Sequence, residues 1–287
     1  MPEMQKRWAE IEIAVSGDAQ EWVGAVLVDT VGCQGYATTA HAVTGYLPVD
    51  DRLENSLLTL RNALHDIPDL PAASRELTIR FVNEEDWANA WKEFFKPQRI
   101  GKRLVIKPTW EEYAPEPDDL ILLLDPGMAF GTGHHSTTRL CLTALEDYVT
   151  PDMSIADVGT GSGILAVGAV LLGAARVEAT DNDPLAVRIA EENIATNGMN
   201  DRIMVREASL PPAGEFDIVV ANILADVILS MAKDLYTATR PDGMLIASGI
   251  IDHRAEDVRQ GLVSVGYTIA ETRTEGDWVA VLAQRKI

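Results

Sequence analysis

The sequence predicts an α/β fold in two parts, a small α+β unit followed by a larger domain with a mostly parallel sheet. Three observations support this prediction. At 287 residues, the chain is longer than a usual single domain. Its first part places the predicted strands and helices in the order β-α-β-β-α-β. After Ile100, short apolar strands alternate with helices, and the chain finishes with two strands joined by a turn.

The first part, residues 7–82, has the element order of a ferredoxin-like sandwich. Apolar residues alternate at its start, where Ile11, Ile13 and Val15 predict a strand. A helix, two short strands, a second helix and a last strand are then predicted over residues 19–29, 35–39, 41–47, 53–64 and 77–82. Because this fold hosts many functions, it implies none by itself.

Residues 83–97, NEEDWANAWKEFFKP, predict a connecting helix. Asn83 can cap its start, acidic residues fill its first turn, and Pro97 ends it. Its aromatic residues fall at helical spacing, which is typical of packing against neighbouring structure. We therefore divide the chain into a first domain over residues 1–83, a linker helix over 84–98 and a second domain over 99–287.

The second domain shows the strand and helix alternation of a parallel sheet with helices on both faces. Buried strands are predicted over residues 154–157, 176–181, 216–221 and 244–248. Residues 267–272 and 278–284 predict two further strands with a short turn between them, so the sheet is expected to end in an antiparallel hairpin.

The composition is that of a folded soluble protein, with 47% hydrophobic and 24% charged residues. The net charge of -20 would repel a phosphate backbone, which disfavours direct nucleic-acid binding. The longest apolar run, residues 164–174, is about half the length that a membrane crossing needs, so no membrane association is predicted. Charges in the first residues argue against a secretory signal, and we expect a cytoplasmic protein.

A glycine-rich turn follows the first strand of the predicted parallel sheet. Gly159, Gly161 and Gly163 lie between the strand and a helix, where a backbone without β-carbons lets a nucleotide-like ligand approach the helix N-terminus. Gly161, Gly163 and Ala166 also satisfy the dinucleotide pattern GxGxxA. The turn alone therefore leaves a methyltransferase and a dehydrogenase as equal alternatives.

The end of the next strand carries an acidic residue with the spacing of a ribose ligand. Asp181 lies 22 residues after Gly159 and can accept hydrogen bonds from two ribose hydroxyls. The cofactor of a methyltransferase and that of a dehydrogenase both carry such a ribose. Asp183 precedes Pro184, a pair that has the sequence of a helix cap and a first helical residue. We therefore interpret Asp183 as structural.

Two longer motifs separate these alternatives. Residues 125–138, DPGMAFGTGHHSTT, and residues 222–225, NILA, resemble the signatures of the ribosomal protein L11 methyltransferase family. The IKPTW segment over 106–110 and the aromatic linker extend the resemblance over the whole chain. The resemblance implies a class I, Rossmann-like, S-adenosylmethionine-dependent methyltransferase domain over 99–287, preceded by a substrate-recognition domain over 1–83.

The resemblance also implies which residues contact the cofactor. The family's cofactor contacts match Thr138, Gly159, Asp181 and Asn222, all of which are intact. The remaining expected cofactor-binding residues are two loop glycines, a second glycine of the turn, an aromatic residue that excludes water and a supporting acid: Gly131, Gly133, Gly161, Phe130 and Asp157.

Asn222 is the expected catalytic residue. We hypothesise that its side-chain or neighbouring backbone carbonyl accepts a hydrogen bond from the acceptor amine and aims the lone pair at the methyl group. The alternative is an asparagine that merely caps the following helix, because Asn is a favoured cap.

No metal site is predicted. His134 and His135 are adjacent, so their side chains project in different directions, and no acidic or cysteine cluster joins them. Cys33 and Cys141 have neither zinc-ligand spacing nor a disulfide framework.

The sequence departs from the family in GCQGYATT, residues 32–39, which lacks an expected acidic residue and leaves substrate recognition less well defined.

The resemblance implies that the substrate is ribosomal protein L11, free or ribosome-bound, methylated at its amino terminus and on lysines. Other acceptors for the same core are a different protein or a small amine. A nicotinamide-dependent oxidoreductase and a non-catalytic cofactor binder are the remaining alternatives. Asn222 and the loop over 131–138 argue against both, because neither function needs them.

Overall fold

The computed structural model describes residues 7–17, 19–33, 36–67, 70–83, 95–125 and 135–286. The described residues divide into two compact units, with the boundary between Lys96 and Pro97. Residues 84–94 of the expected linker helix lie outside the described residues. After them, residues 95–97 are not helical, and Gln98 begins a strand.

The first unit is an antiparallel sheet with two helices. Its elements in chain order are β1 (Arg7–Ala14), α1 (Ala19–Ala25), a π-helical turn (Val26–Thr30), β2 (Tyr36–Thr38), β3 (Ala42–Pro48), α2 (Leu53–Asp66), a 3₁₀ turn (Ala72–Arg75) and β4 (Thr78–Asn83). The strands lie in the order β2-β3-β1-β4, and every neighbouring pair is antiparallel. The structure confirms the predicted β-α-β-β-α-β order.

The core of the first unit follows from the apolar spacing of the sequence. Alternate residues of β1, among them Ile11 and Ile13, are fully buried against the leucines of α2. Leu60 and Leu64 are spaced one helical turn apart, so both point to the sheet. The same hydrophobic core holds α1 in place, although α1 is short and continues as a π-helical turn.

The second unit has a seven-stranded sheet and a smaller three-stranded one. The small sheet contains β5 (Gln98–Ile100), β6 (Leu104–Lys107) and β7 (Leu120–Leu123). The large sheet contains β8 (Ser154–Val158), β9 (Arg176–Asp181), β10 (Ile203–Glu207), β11 (Phe216–Asn222), β12 (Thr239–Ile251), β13 (Tyr267–Glu275) and β14 (Trp278–Arg285). Its helices are α3 (Ser136–Tyr148), α4 (Ile164–Leu171), α5 (Pro184–Thr196), α6 (Ala225–Ser230), α7 (Ala232–Ala238) and α8 (Ala255–Ser264).

The large sheet has the order β10-β9-β8-β11-β12-β14-β13. Pairs from β10 to β12 are parallel, whereas β14 is antiparallel to both β12 and β13. The predicted parallel sheet with a terminal antiparallel hairpin is therefore confirmed. Strand order reverses at β8, whose carboxyl end is the switch point at which open α/β sheets bind ligands.

Two hydrophobic clusters cover the two faces of the large sheet. One contains Leu142 and Val167 from α3 and α4, and the other contains Ile228 and Val258 from α6 and α8. Helices on both faces bury the central strands β8 and β11 almost completely, which explains their mostly apolar sequences. No helix among the described residues is long and apolar enough to cross a membrane.

The sequence analysis did not predict β10 or the three-stranded sheet. β10 lies at the edge of the sheet, and only Ile203 among its residues is buried, so it shows no apolar pattern. β12 begins at Thr239, five residues earlier than expected, because it continues through Pro241, Asp242 and Gly243, whose sequence is typical of a turn.

Candidate functional site

The glycine-rich turn is fixed by the neighbouring strand. β8 ends at Val158, and the amides of Gly159 and Thr160 then both donate to the carbonyl oxygen of Thr180, at 2.8 and 3.0 Å. Gly159, Gly161 and Gly163 have φ values of 74°, 55° and 80°, in the region that favours glycine. The turn therefore brings the backbone across the carboxyl ends of β8 and β9.

Gly159 is required by a close neighbour as well as by its conformation. A Cβ atom at this position would lie 2.3 Å from Cγ2 of Ile223, the residue that follows β11. Side chains do not approach so closely, so any other residue here would displace either the turn or Ile223. The glycine turn and the end of β11 are thus in direct contact.

Asp181, at the end of β9, braces the turn. Its Oδ2 accepts a hydrogen bond from the Gly161 amide at 2.9 Å, and its Oδ1 accepts one from the Asp183 amide at 3.0 Å. Asp183 in turn accepts from the Leu185 amide at 2.8 Å and precedes Pro184, the first residue of α5. The structure confirms that Asp183 caps α5.

Asp157 lies beneath the turn and is fully buried. Its Oδ2 accepts a hydrogen bond from the Thr160 hydroxyl at 2.6 Å. Burial raises the pKa of Asp157 to about 7, because a carboxylate loses its hydration there, although the Thr160 hydroxyl and the Ala166 amide favour the charged form. Asp157 therefore changes charge near neutral pH, and a nearby cation would favour its ionised form.

Asn222 is the last residue of β11, where it pairs with Ser248 of β12. The chain then turns, because the Ile223 amide donates to the Ser248 carbonyl oxygen at 3.1 Å. Leu224 occupies the N-cap position of α6 and makes no side-chain cap hydrogen bond. Asn222 therefore does not cap this helix, and the capping alternative finds no support in the structure.

Thr138 lies in the first turn of α3 and is fully buried. The helix is capped by His135, whose Nδ1 lies 3.3 Å from the Thr137 amide and 2.7 Å from the Thr137 hydroxyl. The His135 ring packs edge-on against Trp278, with 4.7 Å between ring centroids. Burial, and then the positive charge of Arg139, lower the pKa of His135 to about 4, so it is neutral at pH 7.

The first turn of α3 lies against the same strands as the glycine turn. Cys141, one helical turn after Thr138, contacts Ser248 of β12 and is close enough to Asp157 to be affected by its charge. Burial and this charge raise the pKa of the Cys141 thiol, so it is protonated and inert.

Four buried oxygen atoms near the carboxyl ends of the parallel strands make no hydrogen bond of good geometry with any described residue: Thr138 Oγ1, Asp157 Oδ1, Thr180 Oγ1 and Asn222 Oδ1. Three of them come from the ends of the adjacent strands β9, β8 and β11, and Val158 pairs with both Thr180 and Ala221. Leaving a buried polar atom unpaired costs about 1–3 kcal/mol. Such a cluster fits a polar ligand that would satisfy these atoms.

Other expected site residues lie outside the described residues, namely Phe130, Gly131 and Gly133. Asp125, which precedes their loop, is described. Its two carboxylate oxygens accept hydrogen bonds from the amide and the hydroxyl of Thr109, at 2.7 and 2.8 Å. Thr109, in the segment 106–110 that extends the family resemblance, is therefore joined to Asp125, the first residue of the 125–138 motif.

The sequence analysis did not identify the side chains whose hydrogen bonds hold the glycine-rich turn in place. Asn193 of α5 donates to the Ser162 carbonyl oxygen at 2.8 Å, and Thr160 bonds to Asp157. Thr180 supplies one of the unpaired oxygens. Polar residues on an otherwise apolar strand or helix face were the only available signal, and they do not reveal their spatial partners.

Among the described residues, no group of three or more histidine, cysteine, aspartate or glutamate side chains is arranged to hold a metal ion. His135 is occupied in capping α3. His134 lies outside the described residues.

Comparisons with known proteins agree on one family. The family model described as "Ribosomal protein L11 methyltransferase (PrmA)" matches residues 7–286. A ribosomal protein L11 methyltransferase of Desulfitobacterium hafniense is 43% identical over 309 residues, covering 96% of this chain and 97% of the relative. One of Heliobacterium modesticaldum is 46% identical over 248 residues, covering 85% of this chain and 78% of the relative.

A solved structure is similar to the chain in fold as well as in sequence. The crystal structure of a ribosomal protein L11 methylase from Lactobacillus delbrueckii subsp. bulgaricus has a TM-score of 0.63 and 38% sequence identity. The match covers 67% of this chain and all of that chain.

Proposed function

The chain belongs to the ribosomal protein L11 methyltransferase family, and we propose that it transfers methyl groups from S-adenosylmethionine to amines of ribosomal protein L11. The acceptors are the amino terminus and lysine side chains, on free or ribosome-bound L11 in the cytoplasm. The protein needs no direct contact with nucleic acid or membrane for this reaction.

The observation that carries the proposal is the set of unpaired oxygens from Thr138, Asp157, Thr180 and Asn222. They surround a turn whose glycines admit a ligand close to the backbone. S-Adenosylmethionine carries ribose hydroxyls, an ammonium group and a cationic sulfur, and its nucleoside and amino-acid ends offer donors to such acceptors. A nicotinamide cofactor would also offer ribose hydroxyls, but would not account for Asn222.

We assign the parts of the ligand to residues by their chemistry. The turn at Gly159 and Gly161, together with Asp181, would hold the nucleoside. Thr138 and Asp157 would hold the cationic amino-acid end, because a carboxylate and a hydroxyl oxygen both accept hydrogen bonds from an ammonium group. Phe130, Gly131 and Gly133 belong to the same motif and complete the proposed cofactor site.

When bound, S-adenosylmethionine supplies a methyl group attached to a cationic sulfur, and the protein positions a neutral amine for in-line attack. A lysine ammonium has a reference pKa of about 10.4 and an α-ammonium about 7.7–8.0, so the acceptor loses a proton to water before attack. The Asn222 Oδ1 would accept a hydrogen bond from the remaining N–H group and orient the lone pair. Because an amide is not a base near neutral pH, Asn222 would orient the amine and would not remove its proton.

The two compact units support a division of labour. We assign residues 1–83 to substrate recognition, residues 84–98 to a linker and residues 99–287 to methyl transfer. Repeated methylation of one amine would require the amine to rotate between transfers. A neutral hydrogen-bond acceptor such as Asn222 permits this rotation more readily than an ion pair would.

The proposal is tested by incubating the protein with methyl-labelled S-adenosylmethionine and, in parallel reactions, purified ribosomal protein L11 or a ribosomal-protein extract, then mapping the label by mass spectrometry. Label on lysine or amino-terminal nitrogen is expected. Label on another protein of a ribosomal extract would reassign the acceptor, whereas nicotinamide binding without label transfer would overturn the proposal.

The role of Asn222 is tested with two variants. Asn222→Ala removes the acceptor oxygen and should lower kcat by roughly 100-fold, which corresponds to about 2.7 kcal/mol of transition-state stabilisation. Asn222→Asp keeps an acceptor oxygen and should retain more activity. An Asn222→Ala enzyme with full turnover and unchanged cofactor affinity would contradict the assignment.

A further inference from the structure

Leu224 breaks two local rules of protein structure. It occupies the N-cap position of α6, where Ser, Thr, Asp or Asn is preferred, and it leaves the helix without a side-chain cap. It is also 68% exposed, more than any other large hydrophobic side chain among the described residues. Positions that break local rules without local benefit are expected at functional sites.

Val227 extends the exposed apolar surface by one helical turn. It is 37% exposed, whereas Ala225 and Ile228 on the same helix are buried against the sheet. The Val227 amide donates to the Leu224 carbonyl oxygen at 3.0 Å, which holds the two residues together. We call Leu224 and Val227 the apolar ledge.

The acidic charge beside the ledge is partly neutralised. Asp226 accepts a hydrogen bond from Arg254 at 2.7 Å, and Arg254 also donates to Asp257 at 3.0 Å. The chain as a whole has a net charge of -20, so an acidic surface would be the default. An apolar centre beside charged groups has the composition of a protein interface, and an apolar side chain is the part of a partner that would cover this centre.

The ledge lies next to the proposed catalytic residue. Leu224 is two residues beyond Asn222 in the chain, so their Cα atoms are at most about 7 Å apart. A substrate polypeptide in extended conformation covers about the same distance in two residues, and side chains two residues apart lie on the same face. A side chain at that separation from the methylated residue would reach the ledge while the amine reaches Asn222.

We propose that the apolar ledge binds an apolar side chain of the substrate polypeptide, placed within two residues of the lysine that receives the methyl group. The inference rests on the proposed function, since it assigns part of the specificity of the same site. It makes Leu224 a residue that selects among lysines by their neighbours, and it gives α6 a role in docking.

The variant Leu224→Ser tests the ledge without endangering the fold. Serine is a favoured N-cap residue, so the thermal midpoint should stay constant or rise. The value of kcat/KM for ribosomal protein L11 should fall about tenfold, as expected when a partly buried leucine contact is lost. Cofactor affinity, measured by calorimetry, should be unchanged. Val263→Ser, at an apolar residue 53% exposed on α8, is the matched control and should behave as wild type.

Two synthetic peptides make the test specific. Each has one lysine, with leucine two residues away in one peptide and serine in the other. The wild-type protein should prefer the leucine peptide about tenfold, and Leu224→Ser should lose this preference. A structural defect would instead lower activity on both peptides equally.

The possible failures are distinguishable. If the wild-type protein transfers no methyl group to L11, the proposed function fails. If it does, but Leu224→Ser keeps wild-type kcat/KM and peptide preference, the ledge proposal is overturned. It is also overturned if sedimentation shows a wild-type dimer that Leu224→Ser dissociates with unchanged kinetics, because a second copy would then cover the ledge.

Discussion

Replacing Asp157 with asparagine removes a buried charge while keeping the shape of the side chain. In the folded protein, burial raises the pKa of Asp157 from 3.8 to about 7. Between these two values the native state holds a proton that the unfolded state has lost, so the stability that Asp157 contributes falls as pH rises from about 4 to 7. Above pH 7, keeping this group ionised costs on the order of 4 kcal/mol of folding free energy.

Asp157→Asn should therefore be as stable as the wild-type protein below about pH 4, more stable by about 1–2 kcal/mol at pH 5 and more stable by about 4 kcal/mol at pH 8. For a domain of this size, such a difference raises the thermal midpoint by roughly 10 °C. Cofactor affinity should move in the opposite direction. The variant lacks the negative charge beside the proposed cationic end of S-adenosylmethionine, so its affinity at pH 8 should be at least about tenfold weaker.

The assay combines urea unfolding of the ligand-free protein with calorimetric titration of S-adenosylmethionine, each at pH 5 and pH 8. Asp183→Asn is the matched control, because it removes an exposed acid at the same edge and asparagine caps a helix equally well. The reasoning is refuted if Asp157→Asn and wild type show the same pH dependence of stability, or if the variant binds the cofactor with wild-type affinity at pH 8.

Three further predictions concern the turn and the two units. Gly159→Ala places a Cβ atom 2.3 Å from Ile223 Cγ2 at a φ of 74°, so it should destabilise the protein by about 2–4 kcal/mol in urea unfolding and weaken cofactor binding. Asn193→Ala removes the bond to Ser162, and calorimetry should show a cofactor affinity several-fold weaker, with a loss of stability of about 1 kcal/mol. A fragment containing residues 97–287 should bind S-adenosylmethionine but fail to methylate ribosomal protein L11 in the label-transfer assay.

The strands that the sequence predicted well are those that are buried on both faces. β8, β9 and β11 each have a mostly buried apolar centre, and their expected and observed limits differ by at most one residue. β10 was missed because an edge strand with one buried residue has no apolar period to detect. Burial made a strand easier to predict but was not required, since the half-exposed edge strand β13 was predicted over residues 267–272.

The site residues were predicted as single positions, but their bonding partners were not. Spacing from Gly159 identified Asp181 as a ribose ligand, and that assignment remains a prediction. The structure adds that Asp181 binds the Gly161 amide, a contact between residues 20 positions apart that no local pattern encodes. The contact between Gly159 and Ile223 likewise joins two motifs that the sequence presents separately.

Several unfavourable features of this protein are concentrated at one edge of the large sheet. Among the described residues, Asp157 is buried without a countercharge, and Thr138 and Asn222 hold oxygens that have no hydrogen-bond partner. Leu224 exposes a leucine where a polar cap would stabilise α6. Each feature lowers stability by itself, and a fold selected for stability alone would replace them with paired or polar side chains. The proposed cationic cofactor would pair with Asp157 and Thr138, the acceptor amine would pair with Asn222, and an apolar substrate side chain would cover Leu224. Binding of these ligands would therefore offset free-energy costs that the free protein carries.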